Sequence, residues 1–153
     1  MKKITDTEFE AKLKAHVAKS RKAPLNFVLA VRTWGPKMAN HDNGTNRACV
    51  TIDAMVDVIV AVAEHIGPDV VFLALLEAYE MQGGHGSIIL RRLCELADKL
   101  SITLALEAFP VETKRGGPKI PIDKLKSFYA SFGFRMERSE EHGDAYMFRR
   151  LKR

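Results

Sequence analysis

The chain has 153 residues, 46% of them apolar, with a formal net charge of +5; this is enough for one continuous core and short for two, so a single domain over 1–153 is expected. No run reaches the roughly 18 apolar residues of a membrane span, and Met1-Lys2-Lys3-Ile4 leads into no apolar signal core, so no membrane partner and a cytoplasmic address are expected. Two cysteines, Cys49 and Cys94, exclude a disulfide framework and read as reduced thiols, and no Cys or His stands at metal-ligand spacing.

Much of the positive excess lies near the ends, at Lys12, Lys14, Lys19, Arg21 and Lys22 and again at Arg149, Arg150, Lys152 and Arg153. That distribution fits a solvated basic rim better than a dedicated nucleic-acid surface, and it also suits a ligand carrying several phosphates.

Phe9, Leu13 and Val17 recur every four residues behind a Thr5/Glu8 capping-box spacing, which predicts an amphipathic helix that Pro24 ends. Asn26 to Val31 is short, β-prone and bounded by turn residues, and reads as a strand. Trp34 to Asn46, rich in Gly, Asn, Asp and Pro, reads as a mobile loop, either bordering an acceptor site or simply connecting elements at the surface.

Thr51 to Ile66 fits two readings, since its Val and Ile content favours a strand while Ile52, Met55, Val56, Ile59, Val60, Ala63 and Ile66 form a helical stripe. The unbroken stripe before Gly67-Pro68 tips the reading to helix. Val70 to Leu76 is wholly apolar, as a strand buried on both faces should be. Ile89, Leu90, Leu93, Leu96, Ala97 and Leu100 give the clearest helix, and Ile102 to Phe109 gives a strand expected to lie parallel beside the first. Pro110 to Pro121 reads as a polar loop, Ile122 to Phe132 as a helix stopped by Gly133, and Phe134 to Met136 with Tyr146 to Arg149 as a hairpin.

The segment Met81-Gln82-Gly83-Gly84-His85-Gly86-Ser87 stands between the buried strand and the clearest helix. Glycines there bare the backbone, and the helix start directs unpaired N–H groups at the same point, which suits a phosphate. Neither a dinucleotide fingerprint nor a P-loop fits, because Ile89 stands where the third glycine belongs and no Gly-Lys pair exists. A plain glycine turn is the competing reading.

Gly84-His85-Gly86 resembles the second half of the cofactor loop of the GNAT N-acetyltransferase superfamily, although Met81 stands where that family has Arg or Gln, with Gln82 next to it. Farther on, Phe128-Tyr129-Ala130-Ser131-Phe132-Gly133-Phe134 resembles the same family's F-Y-x-x-x-G-F signature. The resemblance covers Val70 to the C-terminus. A compact N-terminal part and the Ala108-Phe109-Pro110 turn resemble phage-encoded members.

What the resemblance implies is an α/β fold with a mixed central sheet flanked by helices and a divergent N-terminal half. It further implies acetyl-CoA as cosubstrate, held by Met81 to Ser87 and by backbone groups at Leu76 and Ala78. An acetyl group would pass directly to a primary amine on a protein or small molecule, with Tyr129 protonating the leaving thiolate. Its alternative reading is a buried aromatic of the helix's inner face. Glu77 and Glu107 fall near the C-terminal ends of two strands, where they are candidate bases if close enough to raise one another's pKa, or plain strand-end carboxylates. His85 reads as a solvent-facing spacer.

The expected partner is an amine acceptor of unassigned class, with a second copy of the chain as a further candidate; no metal is expected. The alternative from another class is a noncatalytic module of the same fold that engages nucleic acid or a protein through its basic surface, nucleic acid being allowed by the charge but not favoured.

Overall fold

The computed structural model describes residues 22–79, 84–108, 121–137 and 146–150. The predicted helix around Phe9 to Val17 and the Pro110 to Pro121 loop lie outside them, apart from Pro121. Residues 22–32 form a helix, α1, so Pro24 lies within a helix instead of ending one. It occupies the first turn of the described helical run, where a missing N–H is tolerated.

The expected strand at Asn26 to Val31 is corrected by the same helix. Phe27, Val28 and Val31 are buried while Leu29 is 43% exposed, a helical spacing; a strand facing the core with Phe27 and Val31 would also have buried Leu29.

The segment from Thr51 to Ile66 is not helical either. Strands β1 (Arg47–Ile52) and β2 (Val56–Val62) form an antiparallel hairpin. Asp53 and Ala54 between them have φ of 53° and 55°, and the Met55 amide donates to the Ile52 carbonyl at 3.0 Å. Positive φ at both central residues matches the right-handed twist of the flanking strands. With the chain reversed there, the β-branched residues of β2 alternate between the two faces, Val56, Val58 and Val60 being buried.

Strand β3 (Val70–Ala78) runs antiparallel to β2, helix α2 (His85–Leu100) follows, and β4 (Thr103–Glu107) lies parallel beside β3, as the sequence leads one to expect. Helix α3 (Ile122–Ala130) then precedes β5 (Arg135–Met136) and β6 (Tyr146–Arg149), which pair antiparallel as the anticipated hairpin. Among the described residues the six strands are ordered β1-β2-β3-β4-β6-β5. β1 and β2 thus supply early strands that the sequence reading misses.

One face of the sheet carries most of the core. Val50, Ile52, Val58, Val60, Val71, Leu73, Leu104, Leu106 and Met147 meet Phe27, Val28 and Val31 of α1 and Ile89, Leu90, Leu93 and Ala97 of α2. The opposite face has a smaller cluster of Ala63, Val70, Ala105 and Phe148, flanked by Phe72 and Tyr146. Along the β1 edge, the loop after α1 is held close: the Thr51 amide donates to the Pro36 carbonyl and the Met38 amide to the Cys49 carbonyl, each at 2.9 Å. A side chain at Gly35 would stand 2.1 Å from the Thr51 carbonyl oxygen, so glycine is required there. Arg32 donates to the carbonyls of Gly44 and Arg47, and Asn43 accepts from the Cys49 amide, so this loop is extensively tied to its surroundings.

Candidate active site

The site starts from an irregularity in β3. Its first half pairs with β4 from Val70↔Thr103 to Leu73↔Leu106, and there the β3–β4 pairing stops, although β3 continues beside β2 to Ala78. At the same point the β2 register skips a residue: Ile59 faces Leu75 and Val60 faces Leu73, leaving Ala74 as a bulge. A bulge bends and twists its strand locally, which accounts for β3 leaving β4. Beyond that point residues 74–78 of β3 have no β4 partner among the described residues, and Leu76 and Ala78 pack against the helix-side core; this stretch of strand edge is here called the slot.

At the far end of β3 the start of α2 comes to the same place. Gly84, the N-cap, has φ of 74°, a left-handed conformation suited to glycine, and no side chain caps the helix. The first helical bond runs from the Ile88 amide to the Gly84 carbonyl at 3.2 Å. Ahead of it, the amides of His85, Gly86 and Ser87 lie in the first turn, where a helix supplies no partners. No acidic residue stands in that turn, and the positive end of the helix dipole favours an anion. A Cβ on Gly86 would lie 3.7 Å from the Ala78 side chain, which places the helix start directly against the end of the slot. Met81, Gln82 and Gly83 lie outside the described residues.

Tyr129 sits in α3 on the helix-covered face. It is 8% exposed, its ring edge-on to Phe128 at 5.3 Å and to Phe134 at 5.7 Å. Burial pushes its phenol up to about 12, so it stays protonated throughout the neutral range. The turn after α3 is held by Arg149 of β6, which donates from Nε to the Phe132 carbonyl at 3.0 Å and from both terminal nitrogens to Asp98 of α2 at 2.8 and 3.0 Å. That fork ties α2, the α3–β5 turn and β6 together. Beside it, Cys94 is buried and its thiol is pushed up to about 11, chiefly by burial, in keeping with a reduced, unreactive cysteine.

Glu77 and Glu107 belong to the opposite face. Glu77 stands across from Asp57 on β2, and Glu107 across from Tyr146 on β6. They stand on neighbouring strands, both beyond the last β3–β4 pair, Leu73↔Leu106. The two faces of the sheet differ: Tyr129 packs on the helix-covered one, and the carboxylates stand on the other.

Sequence reasoning misses three residues near this site. Asp57 accepts at Oδ1 from the Thr51 hydroxyl at 2.6 Å and from the Tyr79 hydroxyl at 2.7 Å. Reading Thr51 to Ile66 as a helix conceals them, because only the hairpin brings Thr51 and Asp57 opposite each other.

No protein-family model matches this sequence, and no curated protein matches it significantly. Solved structures do share its fold. The anti-CRISPR protein AcrVA5 superposes with a TM-score of 0.53 at 17% identity, covering 67% of this chain and 97% of that one. An acetyltransferase from Thermus thermophilus superposes with a TM-score of 0.51 at 15% identity, covering 86% of this chain and 92% of that one. At these identities the likeness concerns architecture alone: the chain has a mixed α/β fold, a six-stranded sheet flanked by helices, of the kind seen in GNAT acetyltransferases.

Proposed function

We propose that the protein is an N-acyltransferase that moves an acetyl group from acetyl-CoA to a primary amine by direct transfer. The observation that carries this reading is the coincidence, at one end of β3, of the slot opened by the Ala74 bulge with the uncapped start of α2. An extended, amide-bearing arm ending in a diphosphate needs those two features side by side. The residues present fit such a group: the amides of His85, Gly86 and Ser87 suit a diphosphate, and the backbone of Leu76 and Ala78 suits a strand-like arm.

When bound, the acyl thioester supplies the acyl group and a thiol leaving group. On the helix-covered face, Tyr129 offers a hydroxyl hydrogen bond to the sulfur as charge develops there. Tyr129, kept protonated by burial, is the donor that returns a proton to the departing thiolate. On the opposite face, Glu77 or Glu107 receives the amine proton, directly or through water. A protein lysine or a small polyamine both meet the requirement for a primary amine, and the sequence Ala108-Phe109-Pro110, similar to that of phage-encoded members, is in keeping with a phage-encoded origin.

Thermal melting with and without acetyl-CoA tests the reading. Ligand at about 100 times its dissociation constant adds about 2.7 kcal/mol, a rise of several degrees for a domain of this size. Tyr129→Phe is expected to keep that rise and lower kcat about 10- to 100-fold. No shift and no binding heat with any acyl-CoA refute the enzyme reading; salt-steep DNA binding in that case replaces it with a nucleic-acid module.

A further inference from the structure

The three residues missed by the sequence reading form a hydroxyl clamp at the root of the glycine loop. Tyr79 is the residue after β3 and the last described one before the loop. It is fastened at two points to the β1–β2 hairpin. Its amide donates to the Met55 carbonyl at 2.8 Å, and its hydroxyl donates to Asp57 Oδ1 at 2.7 Å. The same oxygen accepts from Thr51 at 2.6 Å, which fixes the carboxylate from the β1 side. Asp57 and Thr51 are both partly buried, and a hydrogen bond to a carboxylate away from bulk water is among the stronger kinds.

The clamp's neighbourhood gives it a role. Ala78, adjacent to Tyr79 in the chain, is the residue against which Gly86 packs. Whatever fixes Tyr79 fixes the end of β3 relative to the first turn of α2, and thus the alignment of slot and open amides.

We propose that Thr51, Asp57 and Tyr79 are positioning residues for cofactor binding: they hold the end of β3 so that the slot and the α2 amides engage one ligand together. This rests on the acyl-CoA reading above. The clamp touches neither reacting atoms nor the diphosphate; it acts through the backbone of 78–79. The hairpin, which supplies no ligand contact in that reading, thereby sets the affinity.

The test uses the full chain and coenzyme A itself, followed by calorimetry, with acetyl-CoA turnover as second readout. Tyr79→Phe keeps the ring and removes the hydroxyl; Asp57→Asn keeps the shape and removes the charge. Each is expected to raise the coenzyme A Kd and the acetyl-CoA KM about 5- to 20-fold with kcat within about twofold, since ground-state and transition-state binding fall together. The double variant is expected to be little worse than Tyr79→Phe alone, because both changes act on one hydrogen bond, which Asp57→Asn weakens and Tyr79→Phe removes. Thr51→Val is expected to give a smaller rise of the same kind. Wild-type protein that binds no coenzyme A refutes the acyl-CoA reading. Wild type that binds while Tyr79→Phe binds equally well, or that loses kcat instead of affinity, refutes the clamp. A variant that unfolds is replaced by Tyr79→Trp, which keeps a ring but displaces the donor and carries the same expectation.

Discussion

The two halves of β3 make an instructive contrast. From Val70 to Leu73 the strand is paired on both sides; from Ala74 to Ala78, among the described residues, its strand partner is β2. The sequence scarcely distinguishes them, both being runs of Val, Leu, Ala and Phe up to Glu77. Continuous pairing in the first half builds the core. In the second half β3 runs on past the last β4 pair, and the start of α2 lies beside it, with Gly86 against Ala78. In the proposed reading, stability and binding fall to adjacent stretches of one strand.

Truncation in the closed half is expected to have the largest effect. Leu73→Ala should lose about 2–5 kcal/mol of unfolding free energy, read by urea titration, while Leu76→Ala, half-buried at the slot, should lose clearly less. Equal losses break the contrast. Deleting Ala74 removes the bulge and leaves every other β2–β3 pair intact. The deletion is expected to weaken coenzyme A binding at least tenfold, or about 1.4 kcal/mol, with a smaller change in melting temperature. Gly86→Ala sharpens the comparison further. The space beside Gly86 admits a methyl group at 3.7 Å, and alanine favours a helix over glycine by about 0.5–1 kcal/mol. An unchanged or raised melting temperature with weaker coenzyme A binding is expected; unchanged binding denies ligand approach at this backbone.

The smallest effect belongs to the Arg149–Asp98 fork, remote from the slot. The hydrogen bond from Arg149, more than its charge, holds the Asp98 carboxyl below its usual value. A depressed folded-state pKa stabilises above the unfolded value of 3.8 and is lost as pH falls through the folded one. Asp98→Asn should therefore destabilise by no more than about 1 kcal/mol at neutral pH, its side chain being 54% exposed. The difference from wild type should shrink in melts as pH falls below 3.8 and through the lower folded-state value.

What can be read in the sequence follows from length and period. Val70 to Leu76, the stripe from Ile89 to Leu100 and the run from Ile102 are long enough to declare their type, so β3, α2 and β4 emerge with their parallel pairing. Asn26 to Val31 is too short to separate a period of two from one of 3.6, and Leu29 decides only once its exposure is known. The β1–β2 hairpin turns through Asp53-Ala54, both left-handed, where an Asn-Gly or Asp-Gly pair is the usual signal. A stripe that belongs to two strands then passes for a helix. Of the site, Gly84, Gly86 and Tyr129 are visible because their types are uncommon in those settings. The bulge is not, since one alanine in an apolar run carries no mark, and Asp57 acquires its neighbours only through the hairpin.

The outer margins of the sheet carry a final consequence. On one side, Pro36 and Met38 occupy part of the hydrogen-bonding edge of β1; on the other, β5 is two residues long. Both are poor templates for recruiting a strand from another molecule, which guards against edge-to-edge aggregation. The stretch of β3 that runs on past β4, from Ala74 to Ala78, is interior to the sheet and away from both of these margins.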